Sequence, residues 1–225
     1  MTCMITFLRR GLLFLALAAL CASTSFAAAE KGTADYSQII FVAAERAEAT
    51  VSMYAKQGDG HWQKLLQAPG YIGKNGLGKT REGDGKTPVG VFGLPSAFGI
   101  QADPGTALPY QRVTDQQYWV DDSHSRYYNQ MVGKDNAVAD WHSGEHIVDY
   151  PVQYAYAIVI GYNKACTPDA GSGIFLHCSA GRPTAGCVAI STRSMVALLQ
   201  QIEPGCVISI GRADVIEKQI QALVK

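Results

Sequence analysis

Residues 171–191 read GSGIFLHCSAGRPTAGCVAIS, and this stretch indicates the fold more than any other. The apolar run at residues 174–178 is typical of a short buried strand, and it carries His177 near its end. A polar loop follows, and Cys187 then opens a second apolar run at residues 188–190. If the two strands lie side by side, the imidazole of His177 comes within reach of the Cys187 thiol.

A cysteine beside a histidine is suited to nucleophilic attack on a carbonyl carbon. A free thiol has a pKa of about 8.5, so a histidine that takes its proton leaves a reactive thiolate. We therefore expect His177 to act as the base and the pKa of Cys187 to be lowered. The backbone of Gly186 and Cys187 is expected to stabilise the oxyanion, and glycine leaves room for a substrate. Cys178 is the competing nucleophile, but alternation along a strand points it away from His177.

Four residues of this stretch stand in a recognisable order. His177, Thr184, Gly186 and Cys187 resemble the signature of the L,D-transpeptidase (YkuD-like) catalytic-domain family. A second segment, EGDGKTPVGVF at residues 82–92, is similar to a part of that family in which a loop leads into a strand ahead of the site.

The resemblance implies both a fold and a reaction. The implied fold is mostly β, a β-sandwich or mixed sheet with a few peripheral α-helices. The implied reaction is acyl transfer on peptidoglycan stem peptides, in which Cys187 attacks an L,D-peptide bond, His177 is the base and an amine resolves the thioester. Neither a metal nor an organic cofactor is needed. Thr184 supports the motif, whereas Ala189 stands where many members have arginine and leaves the acyl-donor contacts open. Hydrolysis of the same thioester, by an L,D-carboxypeptidase, is the alternative.

His142 and His146 form a second candidate site, because HSGEH matches the inverted zincin pattern H-x-x-E-H. Two histidines four residues apart share one face of a helix, so this interpretation requires a short helix here. Gly144 would cost such a helix about 1 kcal/mol. A zinc peptidase is therefore the more distant alternative, and a wall-binding module with an inactive site is another.

Residues 73–80, GKNGLGKT, match the P-loop pattern letter for letter. A P-loop requires a helix directly after it, so that backbone amides and the helix N-terminus hold the phosphates. The residues that follow are rich in glycine and include Pro88, so we expect a glycine-rich loop without a phosphate site.

The charge balance of the chain does not favour a nucleic-acid-binding protein. The 225 residues contain 19 Lys+Arg and 19 Asp+Glu, so the chain has no net positive charge that would favour nucleic acid as a partner.

Residues 1–29 are expected to be a secretory signal peptide, with a basic start, an apolar run and A-x-A-like sites. Residues 30–225 then form a single catalytic domain in the periplasm or cell envelope, without a stable membrane span after cleavage. Which of Cys166, Cys178 and Cys206 are bridged stays open.

Periodicity predicts the remaining elements. We expect a meander of three strands at residues 38–44, 50–55 and 61–66, and a central strand at residues 152–160. A helix capped by Ser191 should follow at residues 195–202, then a strand at residues 206–210 and a last helix starting at Asp214, at residues 214–223.

Overall fold

The computed structural model describes residues 36–135 and 137–225, so the expected signal peptide at residues 1–29 lies outside the described residues. The strands are, in chain order, β1 (Gln38–Glu45), β2 (Glu48–Lys56), β3 (Trp62–Tyr71), β4 (Gly90–Gly93), β5 (Ala97–Gly99), β6 (Tyr110–Arg112), β7 (Gln117–Val120), β8 (Met131–Gly133), β9 (Gly144–His146), β10 (Ala157–Val159), β11 (Phe175–Cys178), β12 (Val188–Ile190) and β13 (Val207–Arg212). The α-helices are α1 (Thr192–Leu199) and α2 (Ala213–Leu223), and two 3-10 turns span Ile147–Asp149 and Gln153–Ala155.

Ten strands form one mixed sheet in the order β4-β13-β1-β2-β3-β12-β11-β10-β5-β6, and β8-β7-β9 form a small antiparallel sheet. The first three strands make the expected antiparallel meander, because each has alternating or continuous apolar positions and the turn residues Gly58-Asp59-Gly60 separate the second from the third. Strand β1 also pairs in parallel with β13, so the first strand lies inside the sheet. The prediction of a mostly β fold with a few helices is confirmed.

The main core lies on one face of the large sheet, under α1. Ser191 caps this helix as predicted, because its Oγ accepts a hydrogen bond of 3.1 Å from the Ser194 N–H. Met195, Leu198 and Leu199 follow at helical spacing and are fully buried against the sheet. Helix α2 packs instead on the opposite face, over β1 and β13.

Two expectations about secondary structure were wrong. The apolar run at residues 152–160 forms a strand only at Ala157–Val159, because Tyr154 sits in a 3-10 turn and buries its ring against Phe98 and Phe175. Residues 144–146 form β9, not a helix. The predicted last helix is confirmed at Ala213–Leu223, although Arg212 and not Asp214 begins it as the N-cap.

The pairing of β9 with β7 explains why no helix forms at the HSGEH segment. A Cβ placed on Gly144 would lie 3.1 Å from the Trp119 carbonyl oxygen, so glycine suits the close approach of the two strands. In residues 36–135 and 137–225, no helix has both the length and the apolar character needed to cross a bilayer.

Candidate active site

Strands β11 and β12 pair in parallel and place the two expected catalytic residues on one face of the sheet. His177 lies opposite Ala189 in this register, so Cys187, two residues before Ala189, projects from the same side. Cys178 packs into the main core on the other face, as alternation predicts. The structure therefore brings Cys187 and His177 to one side and removes Cys178 from it.

The thiol of Cys187 is held by the chain just ahead of β11. Its Sγ lies 3.1 Å from the Gly173 carbonyl oxygen, which accepts the S–H, and the Phe175 N–H donates to Sγ at 3.3 Å. Burial, reinforced by the nearby Glu145 carboxylate, raises the pKa of Cys187 to about 12. The expectation of a lowered pKa is therefore wrong for the resting protein.

His177 is buried and is oriented through one ring nitrogen. Nδ1 lies 2.8 Å from the Cys178 carbonyl oxygen, and because a carbonyl can only accept, Nδ1 carries the proton and Nε2 keeps its lone pair. Burial lowers the pKa of His177 to about 4, although this hydrogen bond acts in the opposite direction. No hydrogen bond joins His177 to Cys187, both of which the structure describes, and the two pKa shifts favour the neutral form of each side chain.

Thr184 shapes the turn that ends in Cys187. Its Oγ1 donates to the Cys187 carbonyl oxygen at 2.7 Å and accepts the Gly186 N–H at 3.1 Å. The Gly186 N–H is therefore already used, and the Cys187 N–H is the better candidate for an oxyanion donor. Gly186 is needed for close packing, since a Cβ there would lie 3.0 Å from the Lys86 carbonyl oxygen.

Thr87 holds this turn from a distant part of the chain, and the sequence analysis did not identify it. It is fully buried, and its Oγ1 accepts the Gly73 N–H at 2.8 Å while donating to the Gly186 carbonyl oxygen at 2.7 Å. Its place in the segment at residues 82–92 was the available signal, but that segment suggested only a strand start.

The P-loop-like segment is a loop, as expected. No helix follows Thr80, and the ammonium of Lys79 instead contacts Asp84 Oδ1 at 3.1 Å, with both side chains almost fully buried. Burial alone would raise the pKa of Asp84, but the N–H groups of Thr80 and Lys86 and the Lys79 ammonium outweigh it and lower the pKa to about 2. This loop therefore supports the site through an internal ion pair.

A cleft of about 220 Å³ opens over Cys187. Trp119 forms one wall and packs edge-to-face on Phe175, with ring centroids 4.7 Å apart. The charged residues that line the cleft are Lys79, Glu82, Asp121 and Glu145. A larger groove of about 970 Å³ crosses β2 and β3, but Cys187 does not line it. The smaller cleft is the one that can carry chemistry at the thiol.

The helix required for zinc at His142 and His146 does not form. His142 is exposed and donates its N–H to Asp122 Oδ2 at 2.8 Å, whereas the His146 ring contacts Asp149 at 3.0 Å and stacks on Tyr118. Within residues 36–135 and 137–225, no three His, Cys, Asp or Glu side chains converge as a metal site. The zinc interpretation therefore loses its structural basis.

No disulfide joins the cysteines of the described chain. Cys178 and Cys206 are buried, Cys166 is partly exposed, and all of them are free, as is Cys187. The question of bridging that the sequence left open is answered for this structure.

Comparison with known proteins identifies a family for the chain. The family model described as the L,D-transpeptidase catalytic domain (YkuD) matches residues 40–210. No curated protein matches the chain. Among solved structures, the chain is similar to L,D-transpeptidase 1 of Mycobacterium tuberculosis, with 15% sequence identity and a TM-score of 0.36. That similarity covers 78% of this chain and 62% of the mycobacterial chain.

Proposed function

Because the chain belongs to the L,D-transpeptidase catalytic-domain family, we propose that it is a cysteine acyltransferase that acts on peptidoglycan stem peptides. One observation carries the proposal beyond family membership. The Cys187 thiol lines a cleft, and His177 stands on the same sheet face with Nε2 unprotonated and Nδ1 held by a carbonyl oxygen. This is a nucleophile with a base that a third group orients.

The first half-reaction forms the thioester. A substrate that enters the cleft displaces the S–H of Cys187 from Gly173, and Nε2 of His177 takes the thiol proton. The thiolate attacks the carbonyl carbon of the L,D-peptide bond, and the Cys187 N–H donates to the oxyanion. His177 then protonates the amine of the departing D-amino acid, and the tetrahedral intermediate collapses to the thioester.

The neutral resting pair makes this step depend on the substrate. With the pKa of Cys187 raised to about 12 and that of His177 lowered to about 4, an ion pair is disfavoured until charge develops on the substrate. The proton therefore moves together with the attack on the carbonyl carbon. We infer that the free enzyme holds its nucleophile protonated.

The second half-reaction decides between transfer and hydrolysis. An acceptor amine that attacks the thioester gives a cross-link, whereas water gives an L,D-carboxypeptidase. Bulk water is abundant, so transfer requires a bound and oriented amine, for which effective molarities can reach about 10⁵ M or more. The expected signal peptide at residues 1–29 supports action in the periplasm or cell envelope.

Incubation of the purified protein with a tetrapeptide muropeptide tests the proposal. We expect a tripeptide acyl adduct on the peptide that bears Cys187 and a cross-linked dimer as the main product, both identified by mass spectrometry. Cys187→Ala should abolish both, whereas Cys178→Ala, on the other face, should retain them. Tripeptide without dimer at high acceptor concentration would identify a hydrolase.

Two controls test for a zinc peptidase and for a wall-binding module. Activity that survives a chelator contradicts a zinc peptidase. Binding of muropeptides with neither adduct nor product would point to a wall-binding module and would overturn the proposed acyl transfer.

A further inference from the structure

The cleft over Cys187 is lined by acidic side chains. Three carboxylates line it, from Glu82, Asp121 and Glu145. Among the described residues of its lining, Lys79 is the one cation, and its ammonium is already bound to Asp84 at 3.1 Å. The thiol therefore faces a small space with an excess of negative charge.

Hydroxyl groups orient these carboxylates, and none is neutralised by a described cation. The three pairs are Tyr154 with Glu145, Ser143 with Asp121, and Tyr128 with Glu82, and in each the hydroxyl donates to the carboxylate. Because each donor is neutral, the negative charge of the wall is retained. Such a wall repels an anion and attracts a cation of matching size.

Glu145 is the member whose surroundings are least favourable to its charge. Burial raises its pKa, and the charges of Asp121 and Glu82 raise it further, although the Tyr154 hydrogen bond acts in the opposite direction. A cation bound in the cleft would relieve this repulsion. A carboxylate with a raised pKa is also a stronger base than one exposed to water.

We propose that Glu145 binds the ammonium group of the acyl acceptor in the cleft and removes its first proton, with Asp121 and Glu82 adding to the attraction. The inference rests on the proposed function, because it assigns a role in resolving the Cys187 thioester. An alkyl amine of the lysine type has a pKa of about 10.4, so it arrives protonated and cannot attack a carbonyl carbon. The site must therefore both hold the cation and deprotonate it.

The protons of this step balance. Glu145 takes one proton from the ammonium, and the free amine attacks the thioester carbon to form the C–N bond. Nε2 of His177 takes the second proton from the attacking nitrogen. Collapse of the intermediate breaks the C–S bond and releases the Cys187 thiolate, which recovers that proton from His177. Glu145 then loses its proton to solvent.

Glu145→Gln provides the test, because the amide keeps the size of the side chain and can still accept from Tyr154. The purified variant is first acylated with a tetrapeptide donor, and its thioester is then resolved either by the amine of a muropeptide or by hydroxylamine, which is uncharged at neutral pH. The matched control is Glu203→Gln, which changes an exposed carboxylate outside the cleft.

We expect Glu145→Gln to form the acyl-enzyme at least as fast as wild type, because the variant loses a carboxylate that helps to raise the pKa of Cys187. Transfer to the cationic amine should fall about 10²-fold, the low end of what loss of a general base costs. Transfer to hydroxylamine should stay near the wild-type rate, because no ammonium needs to be bound or deprotonated. Asp121→Asn should give a smaller loss of the same kind, seen as a raised apparent KM for the amine.

Other results overturn the inference. Equal losses with the amine and with hydroxylamine would assign Glu145 a structural role, and unchanged transfer to the amine would leave it without a role in the acceptor step. Failure of the wild-type protein to form an acyl-enzyme would instead overturn the proposed function, so the two failures are distinguishable. If Glu145→Gln does not fold, wild-type transfer to the amine without saturation up to high concentration, together with no effect in Asp121→Asn, would contradict the proposal.

Discussion

Thr87 Oγ1 donates a hydrogen bond of 2.7 Å to the Gly186 carbonyl oxygen across 99 positions of the chain. Thr87 Oγ1 also accepts the Gly73 N–H at 2.8 Å, so one buried hydroxyl serves two backbone groups. It thereby ties the loop after β3 to the turn that presents Cys187. The position of Cys187 therefore depends on a residue that lies far from it in the sequence.

Thr87→Val removes this link while nearly keeping the volume of the side chain. The Gly73 N–H and the Gly186 carbonyl oxygen both lose a buried partner, so we expect the free energy of unfolding to fall by about 1–3 kcal/mol. Turnover should also fall, since the turn loses its anchor. Urea denaturation and product formation measure the two effects. Thr87→Ser, which retains the hydroxyl, is the control, and a Thr87→Val protein as stable and active as wild type would contradict the assignment.

Asp84→Asn leaves the Lys79 ammonium buried without its counter-charge. The relative exposures of the two side chains are 2% for Lys79 and 6% for Asp84, and removal of one partner of such a pair typically costs about 3–5 kcal/mol. We expect a loss of this size in chemical denaturation. The matched control is Asp59→Asn, whose carboxylate and partner His61 are both exposed, so its effect should be much smaller than that of Asp84→Asn. Equal losses of stability in the two variants would show that burial of the Lys79–Asp84 pair does not increase the cost of removing one partner.

Alkylation of the free protein reports the protonation state of Cys187. Because burial raises its pKa to about 12, we expect iodoacetamide to modify the more exposed Cys166 first, with Cys187 reacting slowly at neutral pH and faster as the pH rises. Peptide mapping by mass spectrometry distinguishes the two sites. Rapid modification of Cys187 with a midpoint below pH 8 would indicate a resting thiolate and would contradict the neutral pair.

His177 makes stability depend on pH. Its folded-state pKa is lowered to about 4, below the usual value of about 6.5, so the unfolded chain binds the proton first as the pH falls. The contribution of neutral His177 to the free energy of unfolding is fully present above pH 6.5 and is lost between pH 6.5 and 4. Its upper bound is about 3 kcal/mol.

Denaturation curves of wild type and His177→Gln across this range provide the measurement. The raised pKa of Glu145 acts with the opposite sign, since its contribution grows as the pH falls, but it is common to both proteins. The difference between the two pH profiles therefore isolates His177. Parallel profiles would contradict the lowered pKa.

Much of this fold follows from local patterns. The meander of β1 to β3, the cap at Ser191 and the two strands around the motif could be predicted, because apolar periodicity and polar turns identify them independently of their partners. Alternation also placed Cys178 on the face opposite His177. These features depend on neighbours in sequence.

The features that could not be predicted depend on distant neighbours. Strand β9 pairs with β7 where Gly144 permits close approach to Trp119. The apolar run before β10 turns where the Tyr154 ring packs against Phe175. The raised pKa of Cys187 is likewise a property of burial, which a motif does not encode. In the sequence, Glu145 is visible only as a member of the HSGEH pattern. Its position in the cleft could not be predicted, because the pairing between β9 and β7 determines it.

The position of β1 has a consequence for synthesis of the chain. One edge of β1 pairs with β2 at once, but the other stays open until residues 207–212 arrive, and most residues of the strand are fully buried in the finished fold. An unpaired apolar strand edge is a template for association with other chains. During translation the growing polypeptide therefore carries an edge open to association for nearly its whole length. A product that ends before Val207 should aggregate even though it contains both Cys187 and His177.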